Sequence, residues 1–233
     1  MASNDYLARN REYWEKGYTA PNVDHHMFRF FGRILKPDFG IPKNHETLLD
    51  FGCGQGAAVN YFNQNKLDAY GVDISNTDIA IAQARFSHIA DRFSICDSNP
   101  AANKKYGPLK QYRIITAFQS LYYFTKADFE VLMQKLYDQL EPGGIFFCTM
   151  MGTSSAEFYD NSEATDDEWL RKVSFKNDRI KVDDYYMFFV ANEGDLKSRF
   201  SMFDPVHTGF YAVKLRNDEG DGFHYTFCGT KPK

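Results

Sequence analysis

The segment Leu48-Leu49-Asp50-Phe51-Gly52-Cys53-Gly54-Gln55-Gly56 decides the fold of this chain. It is an apolar run that carries one acidic residue near its end and is followed by three glycines at alternate positions. The run predicts a buried strand, and the glycines predict a tight loop that leads into a helix beginning near Ala57. Because glycine has no Cβ and tolerates positive φ, the backbone of such a loop can approach a bulky ligand closely.

A second segment, Ala69-Tyr70-Gly71-Val72-Asp73-Ile74-Ser75, is a short apolar strand that ends in a carboxylate about 20 residues beyond the first glycine. In a βαβ unit this spacing brings the acid to the hydroxyls of a bound ribose. Together with Asp50 and the glycines, Asp73 resembles motif I and the acidic second strand of the class I S-adenosylmethionine-dependent methyltransferases. The resemblance covers residues 46–151.

Apolar strands and amphipathic helices alternate along the rest of this region. Strands are predicted at 93–97, 112–118 and 145–150, and a Glu141-Pro142-Gly143-Gly144 turn precedes the last of them. Such alternation predicts parallel strands joined by right-handed crossovers. The resemblance implies an α/β, Rossmann-like fold: a seven-stranded, mostly parallel sheet with an antiparallel last strand and helices on both faces.

The chain is predicted to be one domain with added segments. Aromatic residues at helical spacing predict two helices before the core, at 5–16 and 25–35, followed by a loop at 37–44. The expected parts are an N-terminal helical cap over the active site (1–44), an S-adenosylmethionine-binding core (45–151), an insertion that covers the substrate (152–205), and a C-terminal pair of antiparallel strands (206–233).

The composition and net charge of the chain limit the kinds of molecule that it is expected to bind. The 233 residues are 43% hydrophobic and carry a formal net charge of −4, which gives no bulk attraction to nucleic acid or anionic lipid. We therefore predict a small-molecule substrate, no nucleic-acid or membrane partner, a cytoplasmic location and a monomer or homodimer. The four cysteines are far apart and show no metal-binding spacing, so no metal site is predicted.

The resemblance assigns S-adenosylmethionine as cofactor, with S-adenosylhomocysteine as product, and implies roles for several residues. Asp50 contacts the methionine ammonium directly or through water, Asp73 accepts from the ribose hydroxyls, and either Asp97 or Ser98 takes the adenine amine. Asp97 has the alternative role of starting a turn. The remaining cofactor candidates are Gly52, Gly54, the backbones of Cys53 and Gln55, Ile74 beside Asp73, and Gln119 after the fourth strand.

Methyl transfer from a sulfonium needs no metal, and a base is required only if the acceptor must lose a proton early. His25 and His26 are candidates for that base, because histidine titrates near neutral pH. The alternative is that one packs at the helix start and the other is solvated. Many small-molecule members of the family have a histidine pair after the fourth strand; here Tyr122 and Tyr123 follow instead. Tyr122 is the third catalytic candidate and Tyr123 a substrate-binding one.

Further substrate candidates lie outside the core. Tyr18 falls between the two N-terminal helices. Arg171, Arg179 and Arg199 are able to grip an anionic group, although each is equally readable as a surface charge. Tyr185 and Tyr186 alternate on a predicted strand, so one of them faces the core and the other is able to face the pocket. The sequence does not decide which, and Tyr185 is taken as the substrate candidate.

We therefore interpret the chain as a metal-independent enzyme that transfers a methyl group to an oxygen or nitrogen atom of a small polar metabolite. One alternative is an NAD(P)-dependent oxidoreductase, because a glycine-rich turn and a distal acid also describe dinucleotide binding. The other is a non-catalytic subunit that only binds S-adenosylmethionine.

Overall fold

The structure is a computed structural model that describes residues 23–174, 184–214 and 222–233. The chain divides into two compact units, residues 1–40 and residues 41–233. In the first, helix α1 (His25–Phe30) runs through a π-helical turn (Phe31–Leu35) into helix α2 (Lys36–Phe39). The predicted helix at 5–16 lies outside the described residues. The predicted loop at 37–44 is wrong at its start, because Pro37 occupies the first turn of α2, where its missing N–H is not needed.

The described residues of the second unit form ten strands. They are β1 (Thr47–Phe51), β2 (Asp68–Asp73), β3 (Phe93–Ile95), β4 (Tyr112–Ala117), β5 (Leu140–Met151), β6 (Ser162–Ala164), β7 (Arg171–Ser174), β8 (Asp184–Met187), β9 (Asp204–Tyr211) and β10 (His224–Thr230). Seven form one sheet in the order β3-β2-β1-β4-β5-β10-β9. Strands β1 to β5 are parallel, and β10 lies antiparallel between β5 and β9. The predicted seven-stranded sheet with an antiparallel last strand is confirmed.

Five helices accompany these strands: α3 (Ala57–Gln64), α4 (Asn76–Arg85), α5 (Lys126–Asp138), α6 (Ala156–Tyr159) and α7 (Glu193–Arg199), with 3-10 turns at Ser87–Arg92, Pro100–Ala102 and Leu121–Tyr123. Ser75 caps α4 by accepting from the Asp78 amide at 3.2 Å, and Thr125 caps α5 through the Asp128 amide at 3.1 Å. Among the described residues, no helix combines the length and apolar character needed to cross a bilayer.

The start of β5 differs from the prediction. Its residues before Ile145 were predicted as a separate turn, but the strand already begins at Leu140. Tyr112 pairs with Leu140 whereas Ile114 pairs with Ile145, so residues 141–144 form an irregularity within the ladder. Gly143, with φ of 71°, permits this bend, and its carbonyl accepts from the Arg113 guanidinium at 2.6 Å.

The described part of the insertion contains a three-stranded antiparallel sheet, β6-β7-β8. Strand β8 ends at Met187, earlier than the predicted aromatic strand, because the next amides bond elsewhere: Phe188 donates to the Tyr122 carbonyl and Val190 to the Met151 carbonyl, both at 2.8 Å. Phe188 also meets Phe129 of α5 edge-to-face at 5.4 Å. The insertion thus packs its aromatic residues against α5 and the end of β5.

Candidate functional site

The loop after β1 has the backbone that its glycines predict. Gly52, Gly54 and Gly56 have φ of 75°, 49° and 80°, values that residues with a Cβ rarely adopt. A Cβ on Gly52 would lie 2.3 Å from the Cβ of Ser120, and one on Gly56 would lie 2.6 Å from the Phe93 ring. A Cβ on Gly54 would meet no atom within 4 Å. Gly52 and Gly56 are therefore required by packing as well as by φ, whereas the space beside Gly54 is open.

Asp73, at the end of β2, holds this loop. Its Oδ2 accepts from the Gly54 amide at 2.8 Å, and its Oδ1 accepts from the Ser75 amide at 2.9 Å. Each oxygen keeps acceptor capacity for a further donor. The next side chain, Ile74, is 57% exposed, which is unusual for a large apolar group. The hydrogen-bond acceptors of Asp73 and the apolar surface of Ile74 thus lie side by side.

These residues border a cleft of about 240 Å³ where the carboxyl ends of β1, β2, β3 and β4 meet. The chain passes from β1 to β2 on one side and returns to β4 on the other, which is where ligands bind in open parallel sheets. The lining residues are Phe51, Gly52, Asp73, Ile74, Cys96, Gln119, Ser120, Tyr123 and Phe124. The cleft joins mostly apolar walls to a few polar groups, as small-molecule sites do.

Asp50 lies buried in β1, just before the loop. Burial raises the pKa of its carboxyl to about 7, a hydrogen bond of 2.8 Å from the Thr116 hydroxyl opposes the rise, and the nearby Asp73 adds to it. This carboxyl therefore exchanges its proton near neutral pH.

Cys53 lies in the loop, and the cofactor contact predicted for its backbone stays a prediction. Its amide donates to the Val72 carbonyl at 3.0 Å, and its carbonyl accepts from the Gly56 amide at 3.0 Å. The amide is therefore used inside the protein. Burial raises the pKa of the Cys53 thiol. The side chain of Gln55 is exposed and donates to Asp78 at 3.2 Å.

Gln119 follows β4 with a φ of 54°, a strained value for a residue other than glycine. Its amide donates to the Thr149 hydroxyl at 2.8 Å, and its side-chain nitrogen donates to the Tyr211 hydroxyl at 2.8 Å. The strained backbone and these two bonds fix the direction of the Gln119 side chain at the cleft.

Behind Gln119 lies His224, which the sequence interpretation missed. The Tyr211 ring stacks on the His224 ring with centroids 5.0 Å apart and planes 5° apart, and His224 Nε2 lies 3.4 Å from the Tyr122 hydroxyl. Burial lowers the pKa of His224 to about 4, so this ring is neutral at physiological pH. Its position opposite Tyr211 follows from the register of β9 with β10, which the predicted pair of antiparallel strands leaves open.

The structure brings together several predicted site residues and separates others. Gly52, Asp73, Ile74, Gln119 and Tyr123 all border the cleft. Tyr122 lies in the core, 2% exposed, and burial raises the pKa of its hydroxyl well above the usual value. It is not among the residues that line the cleft, and its catalytic role stays a prediction.

Asp97 and Ser98 are exposed and are not among the residues that line the cleft, whereas the preceding residue, Cys96, is one of them. Asp97 accepts from the Asn99 amide at 2.8 Å, a contact typical of the turn-starting alternative. The adenine role of either residue stays a prediction.

The arginines that were predicted to bind an anion contact other residues of the protein. Arg171 donates to the hydroxyl and carbonyl oxygens of Ser162 at 2.7 and 2.8 Å and stacks over Tyr159. Arg199 pairs with Asp195 at 3.0 Å and stacks on Trp169 at 4.0 Å. Neither lines the cleft. Arg179 and Tyr18 lie outside the described residues.

The question of which tyrosine of β8 faces inward is answered by burial. Tyr185 packs against the core, whereas Tyr186 is 50% exposed. His25 and His26 lie on α1 in the first unit, with ring centroids 5.5 Å apart. Their role as bases, like that of Tyr185 in substrate binding, stays a prediction. In the part of the chain that the structure describes, no cluster of three or more His, Cys, Asp or Glu residues is arranged to hold a metal ion.

This chain resembles known proteins both in sequence and in fold. Residues 23–200 match a family model described as a methyltransferase domain. Comparison with curated protein sequences gives no match.

Three solved structures illustrate the likeness. An S-adenosylmethionine-dependent methyltransferase from Methanosarcina mazei has a TM-score of 0.65 at 12% identity, over 83% of this chain and 96% of that one. One from Clostridium acetobutylicum has 0.62 at 13% identity, over 98% of both chains. The glycopeptide N-methyltransferase MtfA in complex with S-adenosylmethionine has 0.56 at 15% identity, over 84% of this chain and 85% of that one. At these identities the likeness shows a shared fold.

Proposed function

Because this chain belongs to the methyltransferase domain family, we propose that it transfers a methyl group from S-adenosylmethionine to an oxygen or nitrogen atom of a small polar metabolite. The observation that carries the proposal is the cleft at the ends of β1, β2 and β4, where Asp73 holds the glycine loop and keeps acceptor capacity. The family and the position of β10 between β5 and β9 disfavour the oxidoreductase alternative, whose sheet has a different strand order.

The residues of the cleft fit the chemical parts of S-adenosylmethionine. Asp73 is placed to accept from the ribose hydroxyls, and the exposed Ile74 and Cys96 offer apolar surface for the adenine. The open space beside Gly54 leaves room for a ligand close to the backbone. Asp50 would face the ammonium, which favours the ionised form of its carboxyl. When bound, this cofactor supplies a methyl group activated by a positively charged sulfur.

The protein then has mainly to position the acceptor. Holding the acceptor atom about 3 to 3.5 Å from the methyl group lowers the activation barrier by roughly 7 to 11 kcal/mol through proximity and orientation. The fixed side chain of Gln119 is the described group best placed for this work. Such positioning needs no metal ion.

A small-molecule acceptor is supported by the charge of the protein. The net charge of −4 disfavours a polyanionic partner. For the same reason we propose that neither nucleic acid nor a membrane surface is the partner.

The test is to incubate the protein with methyl-labelled S-adenosylmethionine and a lysate of its source cell, split into small-molecule and macromolecular fractions. We expect label in a metabolite. Label only in protein or nucleic acid would contradict the small-molecule assignment. Tight cofactor binding without transfer to either fraction would indicate the non-catalytic binding subunit, and an absence of binding would refute the proposal.

A further inference from the structure

The edge of the cleft that follows β4 consists of Gln119, Ser120, Tyr123 and Phe124, here called the acceptor edge. The side-chain nitrogen of Gln119 donates to Tyr211, and its backbone is held by Thr149. The side-chain oxygen of Gln119 is therefore the atom left to meet a ligand, and a carbonyl oxygen is an acceptor only. The acceptor edge thus presents a fixed acceptor to a molecule that carries an N–H or O–H donor.

The charges around the cleft have one sign. Asp73 is the charged residue among those that line the cleft. These lining residues, all within the described part of the chain, include no lysine or arginine. The buried Asp50 adds further negative potential whenever it is ionised. Arg171 and Arg199 are engaged with Ser162 and Asp195 instead. An anionic substrate finds no described cation here to offset its loss of hydration, whereas an amine meets a favourable potential.

The rings around the acceptor edge favour the same class of ligand. Tyr123 and Phe124 border the cleft, and the faces of such rings attract cations. Tyr211 and Tyr122 both contact His224. The neutral state of His224 adds no positive charge that would attract an anion or repel an amine.

Resting on the function proposed above, we infer that the acceptor is a nitrogen atom of an amine, in a molecule without net negative charge, and that the Gln119 side-chain oxygen selects it by accepting its N–H. In that reaction an amine that binds as an ammonium ion first loses a proton to water, and the nitrogen lone pair so freed forms the new N–C bond. The electron pair of the broken C–S bond stays on sulfur, and the methylated ammonium ion carries the positive charge that the sulfonium has lost.

The experiment separates the small-molecule fraction of the lysate by ion exchange at pH 7 and offers each part to the protein with methyl-labelled S-adenosylmethionine. We expect label in the neutral and cationic parts. Pretreatment with an amine-selective acetylating reagent should reduce labelling at least tenfold. Label confined to anionic compounds, or labelling that survives acetylation, overturns the inference and leaves the methyltransferase proposal intact. No label in any fraction refutes the proposed function, and the inference falls with it.

A variant tests the role of Gln119 directly. Gln119→Lys places a cation at the acceptor edge, and we expect it to lower amine labelling at least tenfold when S-adenosylmethionine is held at a saturating concentration, which calorimetry establishes for each variant. Gln134→Lys, on the exposed face of α5, is the matched control and should label as the unchanged protein does. Equal labelling by the Gln119→Lys and Gln134→Lys variants would overturn the selective role of Gln119.

Discussion

The Gly54 amide and the Asp73 carboxylate are joined by a hydrogen bond of 2.8 Å that ties the end of β2 to the loop after β1. The second oxygen of Asp73 holds the Ser75 amide at the start of α4. The residue proposed to bind the ribose therefore also sets the shape of the loop that borders the cofactor. Binding and loop conformation depend on one carboxylate.

Replacing Asp73 tests this double role. Asp73→Ala removes both backbone anchors and the ribose acceptor, so we expect S-adenosylmethionine affinity to fall by about 1 to 3 kcal/mol through the loss of charge-assisted hydrogen bonds. Isothermal titration calorimetry measures the change. Asp91→Ala is the control, since the Asp91 side chain is 82% exposed and outside the cleft. Unchanged affinity in the Asp73→Ala variant would contradict the assignment.

Two of the loop glycines, Gly52 and Gly54, should respond differently to alanine. Gly54→Ala meets no neighbouring atom, so its cost is the positive φ alone, about 1 to 2 kcal/mol. Gly52→Ala adds a contact of 2.3 Å with Ser120 and should be several kcal/mol worse. The double variant Gly52→Ala/Ser120→Gly removes that contact and should recover part of the loss. Urea unfolding gives all three values; equal losses for Gly52→Ala and Gly54→Ala would show that φ alone matters.

The buried carboxyl of Asp50 should make stability depend on pH. Its pKa is about 7 in the folded protein, against 3.8 ordinarily, so between these values the folded state binds more protons than the unfolded state. The free energy of unfolding therefore falls as pH rises from about 4 to about 7, by at most about 4 kcal/mol. The variant Asp50→Asn cannot ionise and lacks this contribution. Urea unfolding of both proteins across this range should show the unchanged protein losing stability relative to Asp50→Asn, and parallel curves would exclude a raised pKa.

Arg199 is predicted to stabilise the insertion without serving the cleft. Its side chain is 11% exposed, pairs with Asp195 and stacks on Trp169 at 4.0 Å. Arg199→Ala should lower the free energy of unfolding by about 1 to 3 kcal/mol, because it removes packing and leaves Asp195 without this ion-pair partner. Lys197→Ala, which removes an exposed pair with Glu193, should cost less than about 1 kcal/mol. A loss of cofactor affinity in Arg199→Ala would place the residue in the binding machinery instead.

Local patterns predicted much of the fold. The strand that ends before the glycine loop and the helix that begins after Gly56 match their predictions, because burial and glycine φ act over a few residues. Asp73 lies at the edge of the cleft, since the βαβ unit fixes its distance from the glycine loop, and its ribose role stays a prediction.

The sequence by itself thus determined the strand, glycine loop and helix, the order of the elements in the core, and the carboxylate beside the loop. Only the tertiary structure decided that Tyr122 is buried against His224, that Arg171 is bound to Ser162, and that Tyr211 orients Gln119. These contacts join residues from different strands, turns and loops. Their proximity follows from the register of β10 with β5 and β9, from the pairing of β6 with β7 and from the packing of the insertion. These depend on the burial of many side chains at once and not on any short pattern.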